Sequence, residues 1–188
     1  MEPGAREIDC VVPAAGRSER MGRWKPILPF AGSTIIETVV GTALRACARV
    51  ILVVGHRGPE LTALFRGVGG VFVVDNPRWE HGMLSSLQRG AEHVRTRRFF
   101  VALGDMPWVG VDAYQALAGA PAADVVFPVF DGIRGHPVLF HERVKDALRA
   151  ADPREASMRG IAARFSAAEV AWGDRSILRD IDTMEDLG

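Results

Sequence analysis

A chain of 188 residues is long enough to bury a substantial core and fits one domain, predicted to span residues 1–188. Its 23 Lys and Arg balance 23 Asp and Glu, so no overall field draws it to DNA, RNA or an anionic membrane, and any affinity for phosphate must be local. No apolar run reaches the roughly 20 residues of a membrane span and the stretch MEPGAREID has no apolar signal core, which predicts a cytoplasmic protein.

The predicted elements alternate. Ile8 to Val12 is an apolar run too short for a helix and suited to a buried strand. It gives way to a loop that ends at Pro29. After FAGST, residues Ile35, Ile36, Val39, Val40, Ala43, Leu44 and Cys47 return at helical spacing, and Thr34 with Glu37 forms a capping box that starts the helix there. Arg49 to Gly55 is β-branched and ends in glycine, a second buried strand. Pro59 is placed to open a helix with Leu61, Leu64 and Phe65 on one face, stopped by Gly69 and Gly70, and Val71 to Val74 is the next strand. The stretch DNPRWEHGMLSSLQRGAEHV begins as a loop and becomes a helix with Leu84, Leu87, Ala91 and Val94 facing inward. Phe99 to Leu103 is again a buried strand, followed at once by Gly104, Asp105, Met106 and Pro107.

Val111 to Leu117 is predicted helical and Asp124 to Val129 a strand; Pro137 to Phe140 is a strand antiparallel to it, because the connection is too short for a crossover helix. Helices at His141 to Ala150 and Pro153 to Phe165, then a weak strand at Ala168 to Trp172, precede the closing ILRDIDTMEDLG. No repeat or long linker interrupts this order. The alternation predicts an α/β fold, a three-layer αβα sandwich around a mostly parallel, Rossmann-like sheet with an antiparallel strand. Cys10 and Cys47 lie in apolar surroundings without metal-ligand spacing and are expected to be buried free thiols.

The loop after the first strand carries the chemistry. At Ala14, Ala15 and Gly16 side-chain bulk almost vanishes, so a ligand's polar atoms can approach the backbone amides, while Arg17, Arg20, Arg23 and Lys25 supply positive charge. That combination suits a polyphosphate. A Walker loop is excluded because Gly22 is followed by Arg23 and Trp24, and a dinucleotide fingerprint is excluded because Ser18 and Met21 stand where its later glycines belong. In open α/β sheets ligands lie beyond the carboxyl ends of the strands, and Asp105 leaves such a strand where a magnesium ligand beside a triphosphate would stand. Its alternative role is to cap the next helix or turn. In DIDT, Asp180 and Asp182 project to the same side of an extended segment; the alternative is a capped terminal helix with solvated acids. Ser85 and Ser86 open a helix and offer hydroxyls to a ribose or phosphate, or simply cap it.

Residues Ala14, Ala15, Gly16, Ser18, Arg20, Met21, Gly22 and Lys25, followed by Ile27, Leu28 and Pro29, resemble the nucleotidyltransferase signature AAGxSxRMGxxK. Within that superfamily the chain looks most like the molybdenum cofactor cytidylyltransferases and their close relatives. The resemblance extends to Gly104–Pro107, to NPRWEHGMLSSLQRG, to RGHPVLF at Arg134–Phe140 and to DIDT, where Met184 replaces the family's proline.

The resemblance implies a glycosyltransferase-A-like, nucleotide-diphospho-sugar transferase-like fold. It also implies a reaction in which CMP passes from CTP to a phosphorylated acceptor, molybdenum-bearing molybdopterin, and pyrophosphate leaves. Ala14, Ala15, Gly16, Ser18, Arg20, Lys25, Gly82, Ser85 and Ser86 would bind the nucleotide. Arg20, Lys25 and Asp105 would be catalytic, Asp105 and Asp182 would hold Mg²⁺, and His136 would face the acceptor or hold a structural bond to backbone. GMP transfer, or transfer to a sugar or polyol phosphate, is the alternative within the class. A silent nucleotide-binding accessory or chaperone module for a molybdoenzyme is the alternative outside it.

Overall fold

Asp9–Ala14 forms β1, an interior strand, in a computed structural model that describes residues 4–18, 23–183 and 185–187. Pro29–Phe30 (β2) and Ser33–Thr34 (β3) make a small separate hairpin whose turn is Ala31 and Gly32, both at positive φ. Helix α1 (Ile35–Ala46) then starts where the capping box puts it: Thr34 Oγ1 accepts from the Glu37 amide at 3.3 Å and Glu37 Oε2 accepts from the Thr34 amide at 3.1 Å. Strand β4 (Arg49–Val54), helix α2 (Gly58–Leu64), strand β5 (Val71–Asp75), helix α3 (Met83–Ala91), strand β6 (Arg98–Val101) and helix α4 (Val111–Ala118) continue the alternation. Strand β7 (Val125–Phe130), the two-residue β8 (Ile133–Arg134) and β9 (Val138–His141) follow, then α5 (Arg143–Ala150), α6 (Met158–Ala162) and β10 (Ala167–Ala171).

The main sheet runs β10-β7-β9-β6-β1-β4-β5. Along this path β9 is the strand that runs antiparallel, to β7 as expected and to β6 as well. Strand parity sorts the core into two faces. Cys10, Val12, Val50, Leu52 and Phe100 pack with α1, α2 and α4, whereas Val11, Ile51, Val53, Phe99 and Val101 pack with α3, α5 and α6. Central strands buried on both faces read as continuous apolar runs, which is why β4 carries VILVV, and each such side chain contributes about 2 kcal/mol by leaving water. The expected three layers are present.

Several elements differ from expectation, the β2–β3 hairpin among them. The helix predicted over Pro153–Phe165 contracts to Met158–Ala162, because Asp152 Oδ1 takes the Arg154 amide in a local turn and Ser157 caps the helix late through the Gly160 amide. The hairpin between β7 and β8, turned by Asp131 and Gly132 at positive φ, was not expected. After DIDT the chain makes a short 3-10 turn, Glu185–Leu187. Cys10 and Cys47 are buried and free; a hydrogen bond with Cys10, then burial, pushes the Cys47 thiol up. Among the described residues no helix is long and apolar enough to cross a membrane.

Two close approaches set the frame of the crevice at the strand ends. A Cβ at Gly90 would lie 2.5 Å from Val11 Cγ1, so α3 rides on the sheet at backbone distance. A Cβ at Gly55 would lie 2.6 Å from Trp79 Cβ, so the loop before α3 is pressed onto the end of β4.

Candidate active site

Beyond Ala14 the chain leaves β1 as an open loop. A Cβ on Gly16 would meet nothing within 4 Å, because it would project into the crevice. The loop is tied back to its own return: Trp24 Nε1 donates to the Gly16 carbonyl at 3.3 Å, and the Lys25 amide donates to Ser18 Oγ at 3.1 Å. These ties drop Lys25 into the protein, where its side chain is only 9 % exposed. Arg20 lies outside the described residues.

Two carboxylates meet the buried lysine, and a third joins their cluster. Lys25 Nζ stands 2.5 Å from Asp182 Oδ1 and 3.5 Å from Asp105 Oδ2. Asp105, Asp180 and Asp182 each offer an oxygen, all within 4.8 Å of one another. Asp105 follows β6 through Gly104, where a Cβ would crowd the Pro13 carbonyl at 3.1 Å. Asp180 and Asp182 arrive from the far end of the sequence: the Ile181 amide donates to the Asp105 carbonyl at 3.0 Å, and the Ile181 side chain is buried with Leu28 and Ile35. Period-two geometry then throws both flanking acids to the same side. The Asp186 carboxylate accepts from the amides of Asp182 and Thr183, at 2.9 and 2.7 Å, so it is Asp186 that caps this turn.

Burial pushes the Asp105 carboxyl above its ordinary range; the Lys25 ammonium pulls it back and the Asp180 charge raises it again. A carboxylate held this way is electrostatically unsatisfied and gains from a further cation. An all-oxygen set of close carboxylates has the chemistry of a hard divalent cation site.

The crevice beside this cluster has a volume of about 610 Å³. Pro13, Ala14, Gly16 and Ser18 form one wall, Leu103, Gly104 and Asp105 another, with Lys25 at the base. Trp79, Glu80 and Met83 close the side toward α3, and Arg17 lies over the Trp79 ring at 4.6 Å while pairing with Glu80 at 2.5 Å. Ala15 is buried next to this wall, and its carbonyl accepts from the His56 amide. Gly82 has φ +89°, a conformation suited to glycine, and precedes α3. Ser85 and Ser86 do not line the crevice: both hydroxyls accept from Asn76 Nδ2 at 3.0 Å, and Ser85 Oγ donates to the Gly82 carbonyl at 2.8 Å. Their hydroxyls shape the loop that presents Trp79 and Glu80.

His136 does not line the crevice either. Its Nδ1 is sealed from solvent without a partner, its ring bonds to the Val101 carbonyl, and a void of about 10 Å³ lies beside it near Thr42 and Tyr114. Burial lowers its pKa to about 4, so it is neutral at pH 7. The unfolded chain binds this proton near pH 6.5, so the contribution to stability is complete above pH 6.5 and is lost as pH falls toward 4. The loss amounts to about 3 kcal/mol. Asp105, whose pKa is raised, acts in the opposite sense. Urea unfolding at successive pH values is therefore expected to show a stability difference between the parent and His136→Gln that shrinks as pH drops from 6.5 to 4. A difference independent of pH would contradict the neutral, buried imidazole.

The structure thus brings together Ala14, Gly16, Ser18, Lys25, Asp105 and Asp182, which lie far apart in sequence. Sequence reasoning singled out Asp182 and passed over Asp180 as a donor, although the alternation in DIDT carried the signal. Trp79 and Glu80 gave no separable signal, since only the approach of the loop to Gly55 puts them at the rim.

Comparisons with known proteins give the family. The chain is 34% identical over 181 residues to the molybdenum cofactor cytidylyltransferase of Escherichia coli, covering 96% of this chain and 93% of that one. It is 30% identical over 204 residues to a probable molybdenum cofactor guanylyltransferase of Mycobacterium ulcerans, covering 99% and 94%. The crystal structure of the Rv0371C protein of Mycobacterium tuberculosis in complex with manganese superposes with a TM-score of 0.77 at 25% identity, covering 96% of this chain and 95% of that one. A model of the MobA-like NTP transferase domain matches residues 10–170, and with the crevice, its lysine and its carboxylates at the strand ends, the chain belongs to the MobA-like NTP transferase family.

Proposed function

We propose that this nucleotidyltransferase moves CMP from CTP to a phosphorylated acceptor, molybdenum-bearing molybdopterin, with release of pyrophosphate. The observation that carries the reading is the pairing of Lys25 with Asp105 and Asp182, in a cluster with Asp180, beside a crevice that Lys25 and Asp105 line together with the loop after β1. The printed activity of the Escherichia coli relative supports the choice of nucleotide and acceptor.

In the proposed reaction an oxygen of the acceptor's terminal phosphate attacks the α-phosphorus, a new P–O bond forms, and the bond to the β-phosphate oxygen breaks as pyrophosphate departs. Such chemistry asks for positioning and charge neutralisation rather than a protein nucleophile. The backbone of Ala14, Ala15 and Gly16 admits the nucleotide closely because no side chain stands in the way. Lys25 places positive charge at the phosphate end, held there by Ser18 and by its burial, and Arg20 is assigned to the same end of the nucleotide. Asp105, Asp180 and Asp182 would hold Mg²⁺, which when bound neutralises charge developing on the phosphate oxygens. Gly82, Ser85 and Ser86 act on the nucleotide through the Trp79–Glu80 wall that they shape. His136, buried away from the crevice, is left out of the acceptor contacts in this reading.

The test is pyrophosphate release by purified protein with Mg²⁺, CTP or GTP, and molybdopterin carrying molybdenum. Release with CTP and acceptor together, and far less with either omitted, is the expected result. Release with GTP alone assigns GMP transfer; release only with sugar or polyol phosphates assigns another acceptor. Tight CTP binding without turnover on any acceptor would replace the enzyme reading with an accessory module for a molybdoenzyme.

A further inference from the structure

The motif RGHPVLF has no atoms in the crevice wall, yet it sits under the segment that delivers two of the three acids. Strand β8 pairs with β7, and this hairpin carries the Gly135 amide to the Pro128 carbonyl at 2.8 Å. The next amide, that of His136, donates to the Ile177 carbonyl at 2.9 Å. Gly135 and Ile177 are in backbone contact: a Cβ on Gly135 would lie 2.3 Å from the Ile177 oxygen and 2.9 Å from both its carbonyl carbon and its Cδ1. Ile177 is fully buried, in a 3-10 turn that Asp174 caps through the Ser176 amide. From there the chain runs extended to Asp180 and Asp182, and its next fixed point is the Ile181 amide on the Asp105 carbonyl.

We propose that Gly135 and the His136 amide are positioning residues for the acid cluster. They form the seat on which the C-terminal segment rests, and so set where the Asp180 and Asp182 carboxylates stand relative to Asp105. The inference rests on the reading of these acids as metal donors. Only glycine permits the seat, because any Cβ at this position collides with backbone rather than with a flexible side chain. A carbonyl 2.3 Å from a new methyl group must retreat by roughly an ångström, and Asp180 lies only three residues further on. Metal donors tolerate about half that displacement.

Mn²⁺ binding to the nucleotide-free protein, followed by electron paramagnetic resonance of the free ion, gives a readout independent of turnover. Gly135→Ala is expected to weaken Mn²⁺ binding about tenfold and to raise the Mg²⁺ concentration for half-maximal activity by a similar factor. Turnover is expected to recover at saturating Mg²⁺. Ile177→Ala, which loosens the same contact by removing atoms instead of adding them, is expected to shift binding in the same direction and carries the test if Gly135→Ala does not fold. Ile133→Ala, on the exposed face of the same hairpin, is expected to bind Mn²⁺ as the parent does. Parental Mn²⁺ affinity in both seat variants overturns the proposal. So does a turnover loss in Gly135→Ala that Mg²⁺ does not rescue while Mn²⁺ affinity is unchanged, which would move the motif to the acceptor side. A parent protein that binds no Mn²⁺ overturns the metal-site reading itself, and this inference with it.

Discussion

Asp105→Ala is expected to lower kcat by about three orders of magnitude while the melting temperature stays within about 2 °C of the parent. The asymmetry follows from the environment of the carboxylate. Burial raises its pKa, the Lys25 ammonium only partly offsets that, and Asp180 opposes ionisation further, so the charged form sits in the folded protein against its own solvation. A carboxyl whose charged form is disfavoured by its surroundings contributes little to stability. Its removal leaves Lys25 paired with Asp182 at 2.5 Å, so no buried charge is orphaned. Steady-state kinetics with saturating CTP and Mg²⁺, beside a thermal melt, check both halves. Full turnover in the variant would remove Asp105 from the site, and a lost fold would make its role architectural.

Lys25→Met is expected to cost about two to three orders of magnitude in kcat, but to change metal binding with the opposite sign from Asp105→Ala. In the nucleotide-free protein the Lys25 ammonium is the counter-charge to Asp182 and Asp105. A divalent cation entering the same cluster meets that charge, which at an effective dielectric near 20 opposes it by several kcal/mol. Methionine keeps the apolar stem and removes the charge. Mn²⁺ should therefore bind the nucleotide-free variant at least about tenfold more tightly than the parent, whereas Asp105→Ala binds it less tightly. Without metal, the variant leaves close carboxylates uncompensated, so its melting temperature should fall and then recover as Mg²⁺ is added. Unchanged Mn²⁺ affinity would mean that Lys25 and the ion do not compete for the same carboxylates.

Most of the frame could be read from residue order because period and punctuation agree there. The Thr34–Glu37 capping box, the β-branched run of β4 and the alternation of strands with amphipathic helices each point to one structure, and the reversed direction of β9 followed from the length of a connection. What was missed came from choices between local alternatives. Asp131–Gly132 is a hairpin signal, but β8 is two residues long and has no apolar pattern to confirm it. Asp152 and Ser157 drew amides away from the predicted helix at Pro153–Phe165.

At the site, the small residues of the β1 loop and the acids after β6 and in DIDT were legible as types. The orientation of Ser85, Ser86 and His136 was not, because each depends on a neighbour distant in sequence or on a buried amide: Asn76 for the serines, the Val101 carbonyl for the imidazole. A hydroxyl at a helix start reads the same whether it faces a ligand or an asparagine.

The crossing of the DIDT segment back to β6 has a consequence for biosynthesis. Synthesis proceeds from the amino end at about 5–20 residues per second, and the strands from β1 to β6 can assemble while later residues are still being added. The cluster they outline would hold Lys25 and Asp105 alone until Asp180 and Asp182 emerge from the ribosome. A nascent chain can therefore be folded through much of its sheet while two of the three proposed metal donors are still missing.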